Sequence, residues 1–160
     1  MIIDIITNPI LITSAVAWVI SQVIKGIIDH ASHRQVRVLG HGGMPSSHSA
    51  TMASLALATG LYSGFDTAIF AVATMVAFVV MCDAAGVRNE TAKHSASIKE
   101  LADIVNGMNE EEREEVKTDK LQEFIGHTPL QVILGATLGI VVALIAYFIM
   151  KFAIGIEFRY

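Results

Sequence analysis

Two histidines sit where apolar runs begin. His48 ends the stretch Gly42-Gly43-Met44-Pro45-Ser46-Ser47, and His127 lies between Gly126 and Thr128-Pro129. Paired glycines allow a tight backbone path, Pro45 fixes the turn, and Ser46 and Ser47 bring hydroxyls and helix-capping chemistry. Thr128-Pro129 reads as an N-cap followed by the first helical position. Both imidazoles are therefore expected at helix N-termini, where free backbone N–H groups favour anions. An ordinary turn and cap would account for the glycines, proline and serines, but not for a histidine at each mouth. Lys25 follows one apolar run, and Asp83-Ala84-Ala85-Gly86-Val87-Arg88 closes another. Alone, Lys25 would read as a snorkelling interfacial lysine. Arg88 can offer two parallel donors to a phosphate, with Asp83 orienting Arg88 or a histidine. The alternative there is a structural ion pair holding the helix end.

Two imidazoles and two cations, without a cluster of carboxylates, fit phosphoryl transfer with no obligatory metal. One imidazole attacks phosphorus and becomes a phosphohistidine. The other protonates the leaving oxygen. Lys25, Arg88 and helix N–H groups would stabilise charge on the equatorial oxygens. Nothing in this chemistry calls for a cofactor.

The elements that must hold these residues follow from composition. A chain of 160 residues has room for one domain, taken as 1–160. Hydrophobic residues make up 53%, charged residues 16%, and mean hydropathy is +0.57. Soluble domains are about a quarter charged, so a soluble or disordered chain is excluded. A formal charge of −4 leaves no basic excess for a nucleic-acid partner. The single cysteine, Cys82, gives no internal disulfide and no Cys-based zinc site. An all-α integral membrane helix bundle remains, of about four transmembrane helices plus one or two amphipathic or cytoplasmic helices.

Ile5 to Ile24, Thr67 to Cys82 and Thr128 to Met150 carry no charge over 20, 16 and 23 residues, against the roughly 20 that span a bilayer. Ser49 to Gly64 is softer and rich in small residues, which suits a helix packed closely on others. Its hydroxyls can return to the helix backbone. Spans are expected at about 8–28, 48–64, 67–86 and 128–151. Pro9 fits a first helical turn, and Trp18, mid-span, is expected to pack rather than anchor. Gly135 and Gly139, four apart, permit close helix contact. Four crossings put both termini on one side. Nine of the 11 basic residues then fall on the other, in 25–48 and 88–127, so the site is expected on the cytoplasmic side with both termini outside. Within the helical insertion 89–126, Ile98, Leu101, Ile104, Val105 and Met108 predict an amphipathic helix over 96–108. Asn109 could cap a second, with Val116, Leu121, Phe124 and Ile125 along one side. These read as surface helices on the membrane or over the bundle.

The runs Gly-Gly-Met-Pro-Ser-Ser-His-Ser-Ala, Asp-Ala-Ala-Gly-Val-Arg and Gly-His-Thr-Pro together resemble a short, divergent branch of the type 2 phosphatidic acid phosphatase and vanadium-dependent haloperoxidase superfamily. The resemblance covers roughly 10 to 150. It implies a lipid-phosphate phosphatase acting on a phospholipid or polyprenyl phosphate. It implies His127 as nucleophile and His48 as general acid, with Lys25, Arg88, Gly43, Ser46 and Ser47 holding the phosphate. Arg34 or Arg37 would stand for a further arginine of the pattern.

The sequence departs from that pattern in three ways. Gln131 stands where the superfamily has an aspartate orienting the nucleophilic histidine, so either Asp83 substitutes in space or the enzyme is slow or inactive. Arg88 and His127 are separated by the 89–126 insertion. His94 sits at the literal spacing from Arg88, but Ile98 follows where an aspartate belongs, so His127 is preferred. Four spans are also fewer than the superfamily's usual six, which leaves room for a homodimer. The competing expectation is an anionic-lipid-binding membrane protein that keeps the phosphate pocket and has lost turnover.

Overall fold

The computed structural model describes residues 2–32, 43–108 and 127–153. Within them the chain forms helices α1 (Ile2–Ile6), α2 (Pro9–Ala31), α3 (Ser47–Ser63), α4 (Ala68–Ala85), α5 (Val87–Met108) and α6 (Pro129–Ala153). Local signals set the boundaries. The Asn8 side chain accepts from the N–H groups of Ile10 and Leu11 at 2.9 and 3.2 Å, and Pro9 opens α2. Ser46 caps α3, and Thr67 caps α4 by accepting from Phe70 N–H. Gly86 separates α4 from α5, the break its position suggests.

The packing is inverted relative to a water-soluble protein. The buried apolar residues are mostly alanines, among them Ala17, Ala50, Ala53, Ala58 and Ala143. Among the described residues, the largest fully buried side chains are Thr13, Ser21, Ser46, Ser49 and Ser54. Large apolar groups such as Val72, Phe78, Ile133 and Phe148 point outward. In hydrocarbon no hydrophobic drive separates helices from solvent, so small residues that let backbones approach form the interior. Buried hydroxyls are satisfied locally: Thr13 donates to Pro9 C=O at 2.6 Å and Ser21 to Trp18 C=O at 2.7 Å. The protein is an all-α membrane helix bundle. Among the described residues, three helices, α2, α4 and α6, are long and apolar enough to cross a membrane. Trp18 is 40% exposed on the outward face. It does not pack inside, because the inner face of α2 is reserved for Thr13, Ala17, Ser21 and Lys25, one helical turn apart.

Helix α3 is the hub, packed against α2, α4 and α6. Its contact with α6 is backbone to backbone. A Cβ at Gly135 would collide with the Ser46 carbonyl, and one at Gly139 with the Ala50 carbonyl. Helix α5 packs on α4. It begins at Val87, well before the expected 96. Its Ser95 and Ala102 are buried, while Ile98, Leu101, Ile104 and Val105 are exposed. The second helix expected from Asn109 through Ile125, and Arg34 and Arg37, lie outside the described residues.

Replacing a helical glycine by alanine ordinarily gains about 1 kcal/mol. At Gly139 the new methyl meets a backbone carbonyl that no side-chain rotation can clear, and overpacking costs about 1–3 kcal/mol. Thermal unfolding in detergent micelles should find Gly139→Ala less stable than wild type. A variant as stable or more so would contradict the close approach.

Candidate functional site

The site gathers at the end of the bundle where α3 and α6 begin. The turn before α3 docks on the first turn of α6: Ser46 N–H donates to the Gln131 carbonyl at 3.1 Å. Gly43, at φ +88°, adopts a conformation open mainly to glycine. A Cβ there would sit 2.7 Å from Lys25 Cε, so the lysine stem lies across the turn. Ser46 and Ser47 are buried, and Ser49 donates to Ser46 Oγ at 3.0 Å. On the other side, His127 N–H donates to the Ala84 carbonyl at 3.2 Å, tying the end of α4 to the entrance of α6.

These contacts bring the two histidines together. Their ring centroids are 6.3 Å apart, edge to face. They are not equivalent: His127 is 4% exposed, whereas His48 is exposed at the mouth of α3. His127 Nδ1 lies 3.2 Å from Gln131 Oε1. Burial pushes the His127 pKa below the ordinary imidazole value. The neighbouring His48 and the Lys25 charge push the same way. Hydrogen bonds with Gln131 and with the Gly43 backbone oppose them and are outweighed.

Of the residues singled out in the sequence, Lys25, Gly43, Ser46, Ser47, His48, His127 and Gln131 converge here. Lys25 is 5% exposed, near the end of α2. Asp83 lies in the last turn of α4, next to Ala84, whose carbonyl binds His127. Arg88 opens α5 just after the Gly86 break; its side chain lies outside the described residues. His94 is an exposed residue of α5. Ser49 and the Ala84 carbonyl were not singled out beforehand. The first could have been read from Ser46 and Ser49 three apart at a helix start, but a backbone carbonyl leaves no sequence signal. Gln131 also caps its helix. Its Oε1 accepts from Thr128 N–H at 3.1 Å while Thr128 Oγ1 accepts from Gln131 N–H at 3.4 Å, a reciprocal capping box. Among the described residues, no group of three or more His, Cys, Asp or Glu side chains could hold a metal ion.

A small-residue interior, an apolar exterior and a polar, histidine-bearing end define a membrane helix bundle. The chain belongs to the Divergent PAP2 family, whose model matches residues 6–142. It is similar to the uncharacterized membrane protein YuiD of Bacillus subtilis (strain 168), 36% identical over 157 residues that cover 92% of this chain and 99% of the relative. No solved structure gives a significant match.

The lowered pKa of His127 makes a stability prediction with a definite sign. The unfolded chain takes up the histidine proton first as pH falls, so the stability the neutral ring confers is present above about pH 6.5. It is lost as pH drops toward the lower folded value. Melting of the wild type should fall on acidification through that range, and His127→Asn should fall less. Equal pH dependence of the two would show that His127 does not titrate low.

Proposed function

We propose that the protein is a membrane lipid-phosphate phosphatase, hydrolysing a phosphomonoester or diphosphate lipid through a phosphohistidine intermediate. The observation that carries this is the pairing of a buried and an exposed imidazole, 6.3 Å apart at two helix mouths. Rings this close can face a single phosphoryl group held between them. His127 Nε2 attacks phosphorus, the P–O bond to the lipid breaks, and His48 gives its proton to the departing oxygen. Water then attacks the phosphohistidine. His48, now neutral, takes the water proton, and phosphate leaves as His127 is regenerated. The Lys25 ammonium, Arg88 and the N–H groups of the turn entering α3 hold the phosphoryl oxygens. Ser46 and Ser47 add hydroxyl donors, and Asp83 orients a cation or a histidine.

Three long apolar helices support a lipid substrate presented from the bilayer. Helix α3, at 17 residues, would reach about 26 Å at 1.5 Å per residue. That supports a fourth crossing, with both termini outside. The excess of basic residues in 25–48 and 88–127 supports a cytoplasmic site. The uncharged amide of Gln131 beside His127 favours one second reading: an anionic-lipid-binding protein that keeps the pocket without turnover.

Phosphate release in mixed micelles, on phosphatidate, phosphatidylglycerol phosphate and a polyprenyl diphosphate, separates the two. Turnover is expected to survive EDTA and to be inhibited by vanadate, a mimic of pentacoordinate phosphorus. His127→Ala should abolish it, and His48→Ala should lower it by about 10²–10⁴-fold, the usual worth of a general acid. Activity unchanged in the double variant would overturn the proposal. Folded protein that binds these lipids without releasing phosphate would favour the second reading.

A further inference from the structure

We propose that Gln131 is the positioning residue of His127: its side-chain amide, clamped oxygen-inward by the Thr128 backbone N–H, holds the imidazole as the Nδ1–H tautomer and leaves Nε2 bare. This deepens the phosphatase reading, in which Nε2 is the attacking atom, but the tautomer can be read whether or not that reading holds.

The argument is one of donors and acceptors. A glutamine side chain has an accepting end and a donating end, and which end faces His127 decides which ring nitrogen carries the proton. The Thr128 N–H can only donate, and it lies 3.1 Å from the Gln131 side-chain terminus. Turning the amide over would set an NH₂ group against an N–H group, two donors with no acceptor between them. The atom there is therefore oxygen. The same oxygen lies 3.2 Å from His127 Nδ1 and has a second lone pair, so it accepts from Nδ1–H. In a neutral ring the other nitrogen, Nε2, then carries the lone pair.

The clamp is two-sided, because Thr128 Oγ1 accepts from Gln131 N–H at 3.4 Å. Helix capping, an ordinary device of local stability, thus fixes the proton of the residue just outside the helix. The Gly43 backbone is the rival partner for the ring, and a neutral imidazole has a single N–H to share between them. An amide also orients without charging. It supplies the acceptor a carboxylate would, but gives the imidazolium no neutralising charge, while His48 and Lys25 both disfavour that charge from nearby.

The test uses purified full-length protein with ¹⁵N-labelled histidine in detergent micelles. Long-range ¹H–¹⁵N spectra above the imidazole titration range read the tautomer, and His127 is assigned by its loss in His127→Asn. Wild type should show Nδ1–H with an unprotonated Nε2. Gln131→Ala should lose that preference. Gln131→Glu keeps both capping bonds, so it should keep Nδ1–H and titrate His127 at higher pH than wild type, because a carboxylate stabilises the imidazolium. An Nε2–H signal in wild type overturns the proposal without any variant having to fold, and so does an unchanged Nδ1–H preference in Gln131→Ala. Substrate is absent, so loss of the tautomer leaves the phosphatase reading standing on His127→Ala turnover. Absence of turnover equally leaves the tautomer result intact.

Discussion

The arrangement depends on one contact, the backbone-to-backbone approach of α3 and α6. Without side chains at Gly135 and Gly139, the carbonyls of Ser46 and Ala50 come within reach of α6 itself. At that separation Ser46 N–H can bond the Gln131 carbonyl, and the turn carrying Ser47 and His48 is locked to the turn carrying His127. Larger residues at either glycine would part the helices, and the two imidazoles would part with them. In a bilayer this constraint matters more than in water. No hydrophobic gain draws the helices together, so contact area and backbone hydrogen bonds must do so.

Much of this was legible in the sequence. Charge-free runs and the Gly135–Gly139 spacing are direct consequences of bilayer thickness and close packing, and both survive in any membrane bundle. Histidines before apolar runs were legible too, because helix entrances have a recognisable grammar of serine, threonine and proline. Three things were not. The inequality of His48 and His127 depends on burial, which is decided by the ends of α2 and α4 rather than by either histidine's neighbours. The outward face of Trp18 follows from α2 spending its inner face on Thr13, Ala17, Ser21 and Lys25, a pattern that a uniformly apolar run conceals. The early start of α5 at Val87 reflects a single helix break at Gly86, after which polar residues continue as a helix although their periodicity is weak until residue 96.

The site also shows how helix termini combine structural and chemical duties. Ser46 caps α3; Gln131 caps α6 and meets the His127 ring; the His127 N–H secures the end of α4. Every one of these groups satisfies a backbone atom that would otherwise be orphaned at a helix end. Placement of the chemistry is therefore coupled to the folding of three helices, and a substitution at the site changes stability as well as chemistry.

The two histidines divide naturally by environment. In the proposed reaction His48 is the proton donor, and its exposure at the mouth of α3 leaves its ring open to solvent. In the same proposal His127 is the nucleophile, which needs a free lone pair, and burial of His127 disfavours the charged ring. An aspartate in place of Gln131 would counteract that burial by stabilising the imidazolium. The amide leaves the effect of burial in force. In the proposed reaction, an amide at position 131 gives a charged intermediate less stabilisation and leaves more of the ring neutral.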